Sequence, residues 1–83
     1  MAAHRGSDVY ADARALAADL GDAGHSSWSQ RIEDAIAGGA VATEILMALH
    51  WTLGELLAQE PTLEPRLRAR AAGVRREIGS ALR

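Results

Sequence analysis

The sequence contains no cysteine, which excludes disulfide bonds and cysteine-ligated zinc as sources of stability. With 83 residues, the chain is near the lower size limit at which a domain folds alone. Chains of this size often need additional stabilisation, which here has to come from tight helix packing or from self-association. We therefore expect one domain over residues 1–83, in a reducing compartment.

Long apolar runs are absent as well. No stretch approaches the roughly 20 apolar residues of a transmembrane helix, and the N-terminal segment lacks the apolar core of a signal peptide. These absences predict a cytoplasmic protein that does not associate with a membrane. Residues 1–6 have nothing to pack against and are expected to be disordered.

Lysine is absent too, and every basic residue is arginine. Together with abundant alanine and glycine, this indicates a high-GC bacterial genome. The net charge of −2 is unevenly distributed. Nine acids and three arginines up to residue 60 give −6, whereas six arginines and two acids from residue 61 onward give +4. The last segment is therefore basic and the rest of the chain acidic.

Glycine and proline divide the chain into four helical segments. The breaks fall at Gly21–Gly24, Gly38–Gly39 and Pro61–Pro65, β-branched residues are sparse, and no long segment alternates with a period of two. We predict helices over about residues 8–20, 27–37, 43–59 and 63–82. The predicted fold is all-α: a compact four-helix bundle with a short second helix and a central, mostly apolar third helix.

The predicted helix ends depend on hydroxyl caps and on glycine. The N-terminal caps are predicted at Ser7 (with Asp8 in the first turn), Ser27 (in a capping box with Gln30), Thr43 and Thr62. Gly21 and Gly38 are expected to end the first two helices, because glycine takes the left-handed conformation cheaply. Pro65 falls in the first turn of the last helix, where its missing N–H costs little. Glu64 is expected to pair with Arg68.

Each helix carries an apolar stripe, and the third helix carries two. The predicted core positions are Val9, Ala13, Leu16, Ala17 and Leu20; Trp28, Ile32, Ala35 and Ile36; Ile45, Leu46, Leu49, Leu53, Leu56 and Leu57; and Leu63, Leu67, Ala71, Val74, Ile78, Ala81 and Leu82. On the third helix a second strip, displaced by about 100°, contains Met47, Trp51 and Ala58. Its polar face is predicted at Glu44, Thr52, Glu55 and Gln59.

The second strip suggests a contact surface for another protein. The predicted interface residues are Met47, His50, Trp51, Gly54 and Ala58. Methionine and tryptophan are favoured at interfaces, and Gly54 would allow another backbone to approach closely. The alternative is that Met47 and Trp51 pack inside the monomer, against the first or second helix. The sequence leaves both possibilities open.

Several kinds of chemistry have little support. Gly38 and Gly39 follow a helix rather than a strand, no lysine is present, and Glu44 would repel a phosphate, so the pair is interpreted as a helix break. His50 has no acid or second histidine three or four residues away, as a helical metal site requires. The serines lie at predicted caps, in a loop or near a terminus. We therefore expect no enzyme activity, no catalytic residue, no metal, no cofactor and no small-molecule substrate.

The Arg-rich last helix raises the question of nucleic-acid binding. Its arginines, on a helical wheel, scatter around the apolar stripe: Arg66, Arg68, Arg70, Arg75, Arg76 and Arg83. A helix that reads a nucleic-acid groove concentrates its charge on one face, and the acidic remainder of the chain would repel a polyanion. We expect instead that this helix lies against the acidic half of the same chain.

The stretch "AIAGGAVATEILMALHWTL" resembles small uncharacterised helical bacterial proteins in which a short helix ends in Gly-Gly before a Thr-Glu-Ile helix start. The resemblance covers about a quarter of the chain and implies a bacterial accessory protein, with no known function or site. From the residues we expect a non-enzymatic protein–protein interaction module that forms a homodimer or binds a protein partner. The alternatives are an antitoxin or immunity protein that neutralises a partner, and a nucleic-acid-associated regulator that uses the last helix.

Overall fold

The computed structural model describes residues 8–83 and contains four helices. They are α1 (Val9–Asp22), α2 (Ser26–Gly38), α3 (Ala42–Gln59) and α4 (Pro65–Ala81), and the described residues include no strand. The predicted all-α four-helix bundle is confirmed, and α2 is the shortest helix. The predicted disorder of residues 1–6 and the predicted cap at Ser7 lie outside the described residues.

The helices pack in a ring. Each contacts its neighbour in the chain, and α1 closes the ring against α4. The bundle measures 31 × 30 × 20 Å. The third helix, expected at the centre, packs between α2 and α4, but each of the other helices also has two principal neighbours. One side of α3 therefore faces outward.

The predicted apolar stripes meet inside this ring. The buried core consists of Val9, Ala13, Leu16, Ala17, Leu20, Trp28, Ile32, Ile36, Leu49, Leu53, Leu56, Leu63, Leu67, Ala71, Val74 and Ile78. Ala35, Ile45, Leu46 and Leu57 are half-buried against it. The stripe of α4 ends at Ile78, because Ala81 and Leu82 are exposed beyond the last turn that packs on α1 and α3. Burial of this apolar area is the main source of stability for a chain without cross-links.

The caps of α1 differ from the prediction at both ends. Asp8, expected in the first turn, is itself the cap, and its carboxylate accepts a hydrogen bond from the Ala11 N–H at 3.3 Å. The helix continues past Gly21 to Asp22, and the Ala23 N–H then donates to the Asp19 carbonyl at 3.0 Å. Gly24, with a φ of 92°, provides the left-handed turn that Gly21 was expected to provide.

The predicted serine and threonine caps of the other helices are wrong. The residues that precede α2, α3 and α4 are His25, Val41 and Glu64, and none of them makes a side-chain capping bond. The Gln30 amide donates to Asp34 at 2.9 Å instead of closing a capping box. At α3, the Glu44 carboxylate accepts from the Ala40 N–H at 3.0 Å, so an acid of the first turn replaces the hydroxyl. Pro65 is in the first turn of α4, as predicted.

The glycine pair between α2 and α3 does end a helix, but for a different reason from the one expected. Gly38 is the last residue of α2, and Gly39 has a φ of −88°, which any residue can adopt. A Cβ at Gly39 would lie 3.0 Å from the backbone nitrogen of Ile45 and 3.2 Å from its Cα. Gly39 is therefore needed for close approach of the chain to α3, not for a left-handed conformation.

The expected pair of Glu64 and Arg68 does not form. Glu64 contacts His25 instead, with 3.0 Å between Oε1 and Nε2, which connects the α3–α4 segment to the start of α2. The Arg68 guanidinium instead donates to the carbonyls of Leu57 and Glu60 at the end of α3. A cation at that position satisfies carbonyls that have no partner within the helix and interacts favourably with the helix dipole.

Candidate interaction surface

The outward side of α3 is apolar. Met47 is 58% exposed and Trp51 is 66% exposed, and Ala58 is exposed further along the same side. These three residues, here called the exposed strip, follow one another at helical spacing and lie opposite the buried leucines of the same helix. The possibility that Met47 and Trp51 are core residues of the monomer is therefore wrong, although their role as an interface remains a prediction.

The face of α3 that was predicted to be polar is partly packed. Thr52 is buried, with 6% of its surface exposed, and Glu55 is half-buried. The Glu55 carboxylate accepts from the guanidinium of Arg31 on α2, and that guanidinium lies 4.5 Å from the ring centroid of Trp28. Thr52 precedes Glu55 by almost one turn and so lies on the same side of α3. Thr52 and Glu55 are thus covered, whereas Glu44 and Gln59, the other two residues of the predicted polar face, are exposed.

The helix α3 keeps its main apolar side in the core, since Leu49, Leu53 and Leu56 are fully buried, but it also covers part of its polar side and exposes its second apolar strip. A surface helix normally keeps its polar side in water and packs its apolar side. Here Thr52 is buried and Glu55 pairs with Arg31 of α2, while Trp51 and Met47 remain in water. Exposed large side chains that line up along one helix are a feature of contact surfaces.

His50 and Gly54, the other two predicted interface residues, are half-buried and belong to the border with α4. The Arg75 Nε donates to the His50 carbonyl at 3.2 Å. A Cβ at Gly54 would lie 3.1 Å from Nε and Nη2 of Arg75, so the guanidinium occupies the space beside this glycine. The position predicted to admit a partner backbone is thus filled by a side chain of the same chain.

A basic groove runs beside the exposed strip, between α3 and α4. It has a volume of about 370 Å³ and is lined by His50, Leu57, Ala72, Arg75, Arg76, Gly79 and Arg83. We call it the arginine groove. The His50 imidazole lies against Gly79: a Cβ added to this glycine would be 3.7 Å from the His50 Nε2. Among the residues that the structure describes, no acidic side chain lines the groove.

The structure thus places together arginines that the helical wheel separated. Arg75, Arg76 and Arg83 line the groove together. Arg76 and Arg83 are seven residues apart, which returns to nearly the same side of a helix, and Arg75 precedes Arg76 directly. That spacing is a signal in the sequence that could have revealed the groove.

The interpretation that the last helix lies against acidic parts of the chain is also supported, since Arg70 forms an ion pair with Asp19 of α1.

Outside these two surfaces, the polar contacts are structural. Glu64 has a pKa below its ordinary value, because its carboxylate accepts a hydrogen bond from its own backbone N–H and a second from His25. The Trp28 Nε1–H donates to Glu60 at 2.9 Å, which gives this buried ring a polar partner. Within residues 8–83, no group of three or more His, Asp or Glu side chains could hold a metal ion.

None of the four helices described is both long and apolar enough to span a membrane. Comparison of the chain with protein-family models, with curated proteins and with solved structures finds no match in any of the three. The two surface features that remain are the exposed strip on α3 and the arginine groove beside it.

Proposed function

We propose that this protein is a small, non-enzymatic interaction module that self-associates through the exposed strip of α3. The observation that supports the proposal is the orientation of α3. The helix buries Thr52, pairs Glu55 with Arg31 of α2, and leaves Met47 and Trp51 in water. In a monomer this arrangement leaves apolar surface in contact with water, a cost that burial against another chain would remove.

The composition of the strip suits a homodimer. From Met47 to Ala58 it spans about 16 Å along one side of a helix, and the side chains that point most directly outward carry no charge. Tryptophan is enriched among the residues that dominate binding energy, and methionine adapts its shape to a partner surface. In an isologous dimer the strip would pack against its own symmetry mate, so that one set of residues supplies both halves of the interface.

The experiment is the absolute mass in solution, measured by light scattering behind a sizing column over a range of about a hundredfold in concentration. We expect the mass to rise from 8.8 kDa toward twice that value. Trp51→Ala should remain a monomer with unchanged helical circular dichroism, because a side chain that is 66% exposed contributes little to the core.

The matched control is Val41→Ala, which truncates a side chain that is 56% exposed but lies before α3 and outside the strip. This variant should dimerise like the unsubstituted chain. A monomer at every concentration, or a dimer that Trp51→Ala leaves intact, would contradict the proposal.

A further inference from the structure

The arginine groove concentrates positive charge, and none of the described residues that line it is an acid. Arg75, Arg76 and Arg83 line it together with His50, and its other lining residues are uncharged. The nearby acid of α4, Glu77, lines a separate depression with Asp12, which Arg76 also borders. Within the described chain the groove is thus a site of net positive charge without an acidic partner inside it.

The three arginines have different roles. Arg75 is half-buried and held by its bond to the His50 carbonyl, so it forms part of the wall between the helices. Arg76 and Arg83 are exposed, and among residues 8–83 the only hydrogen bond of their guanidinium groups is from Arg83 Nη2 to the Ser80 hydroxyl at 3.2 Å. Most of the donor positions of Arg76 and Arg83 therefore remain open to a ligand.

The chemistry of these donors suits an oxyanion. Guanidinium groups match carboxylates and phosphates with paired hydrogen bonds. Phosphates of a nucleic acid fit poorly, because duplex DNA carries one charge per about 1.7 Å and extends far beyond a groove that covers three turns of one helix. A duplex would extend over the part of the chain up to residue 60, whose net charge of −6 would repel it, whereas a short acidic segment needs to contact only the groove.

We propose that the arginine groove binds carboxylate side chains of an acidic segment of a partner protein, with Arg76 and Arg83 as the contacting residues. The uncharged part of the lining, formed by Leu57, Ala72 and Gly79, accommodates the aliphatic portion of the bound side chains. The groove and the exposed strip use different side chains, so this inference does not depend on self-association.

The test is fluorescence anisotropy at low salt with three labelled probes: an Ala–Glu peptide, the matching Ala–Gln peptide and an oligothymidylate with the net charge of the Ala–Glu peptide. We expect the Ala–Glu peptide to bind more tightly than both other probes. The double variant Arg76→Gln/Arg83→Gln should weaken its binding by about fivefold to tenfold, which is the loss expected for two exposed ion pairs.

The control is Arg14→Gln/Arg66→Gln, which removes the same total charge from exposed positions outside the groove. It should leave binding of the Ala–Glu peptide nearly unchanged. Equal losses in the two variants would overturn the proposal, because they would show a response to net charge alone. Tighter binding of the oligothymidylate, or no binding of the Ala–Glu peptide, would overturn it as well. If the chain is a monomer in solution but binds the Ala–Glu peptide, the proposal for the exposed strip fails and the proposal for the arginine groove stands.

Discussion

Two glycines show how the absence of a single Cβ determines the approach of chain segments. Gly39 allows the connection after α2 to pass within contact distance of the Ile45 backbone, and Gly54 leaves room for the Arg75 guanidinium against α3. Neither residue has a positive φ, so conformational freedom does not explain them. Gly39 is needed because backbone atoms occupy the space beside its Cα, whereas beside Gly54 the space is occupied by the end of an arginine side chain, which can move.

This explanation predicts opposite effects for the two neighbouring glycines of the α2–α3 break. Gly39→Ala should destabilise the protein by about 1–3 kcal/mol, because the added Cβ would lie 3.0 Å from the Ile45 nitrogen and the backbone would have to shift. Gly38→Ala meets nothing within 4 Å at a helical position and should stabilise the protein by about 0.5–1 kcal/mol. Urea unfolding followed by circular dichroism measures both, and a destabilised Gly38→Ala variant would contradict the explanation.

At the scale of helices, the end of α3 depends on α4. No basic residue lies in the last turn of α3, and Arg68 supplies the missing cation from the next helix by donating to the Leu57 and Glu60 carbonyls. Because Pro61 and Pro65 fix where α3 stops and where α4 starts, the guanidinium of Arg68 can reach back to that end.

Arg68→Met should therefore destabilise the protein by about 1–2 kcal/mol, since it keeps most of the aliphatic side chain but removes the bonds to the last carbonyls of α3. Arg66→Met, at an exposed position two residues earlier, is the matched control and should change the unfolding free energy by less than about 0.5 kcal/mol. Equal effects of the two substitutions in chemical unfolding would show that Arg68 acts through its charge alone.

The helices themselves could be predicted from the sequence, because the spacing of apolar residues and the placement of glycine and proline are local signals. The caps could not be predicted, because several side chains near a helix start can accept a hydrogen bond from a backbone N–H. In the folded chain the carboxylates of Asp8 and Glu44 accept these bonds, and the predicted hydroxyls do not. The ion pairs were missed for a related reason. His25 and Glu64 are 39 residues apart, and no local pattern indicates that tertiary packing brings them together.

The orientation of α3 within the whole molecule could not be predicted from the sequence either. A helical wheel identifies the exposed strip as a second apolar face, but the choice between water and the interior depends on where α2 and α4 lie around the helix. The burial of Thr52 and the pairing of Glu55 with Arg31 determine that choice. The predicted interface residues accordingly divide into two groups, with Met47, Trp51 and Ala58 outward and the other two beside α4.

If the exposed strip joins two copies, the stability of the whole molecule should depend on its concentration. A dimer that unfolds to two chains gains about 2.7 kcal/mol per mole of dimer for a hundredfold rise in concentration, whereas a monomer gains nothing. We expect the urea midpoint of the unsubstituted chain to rise over that range and the midpoint of Trp51→Ala to stay constant. Val41→Ala should behave like the unsubstituted chain. A midpoint of the unsubstituted chain that does not move with concentration would mean that α3 keeps its tryptophan in water in solution.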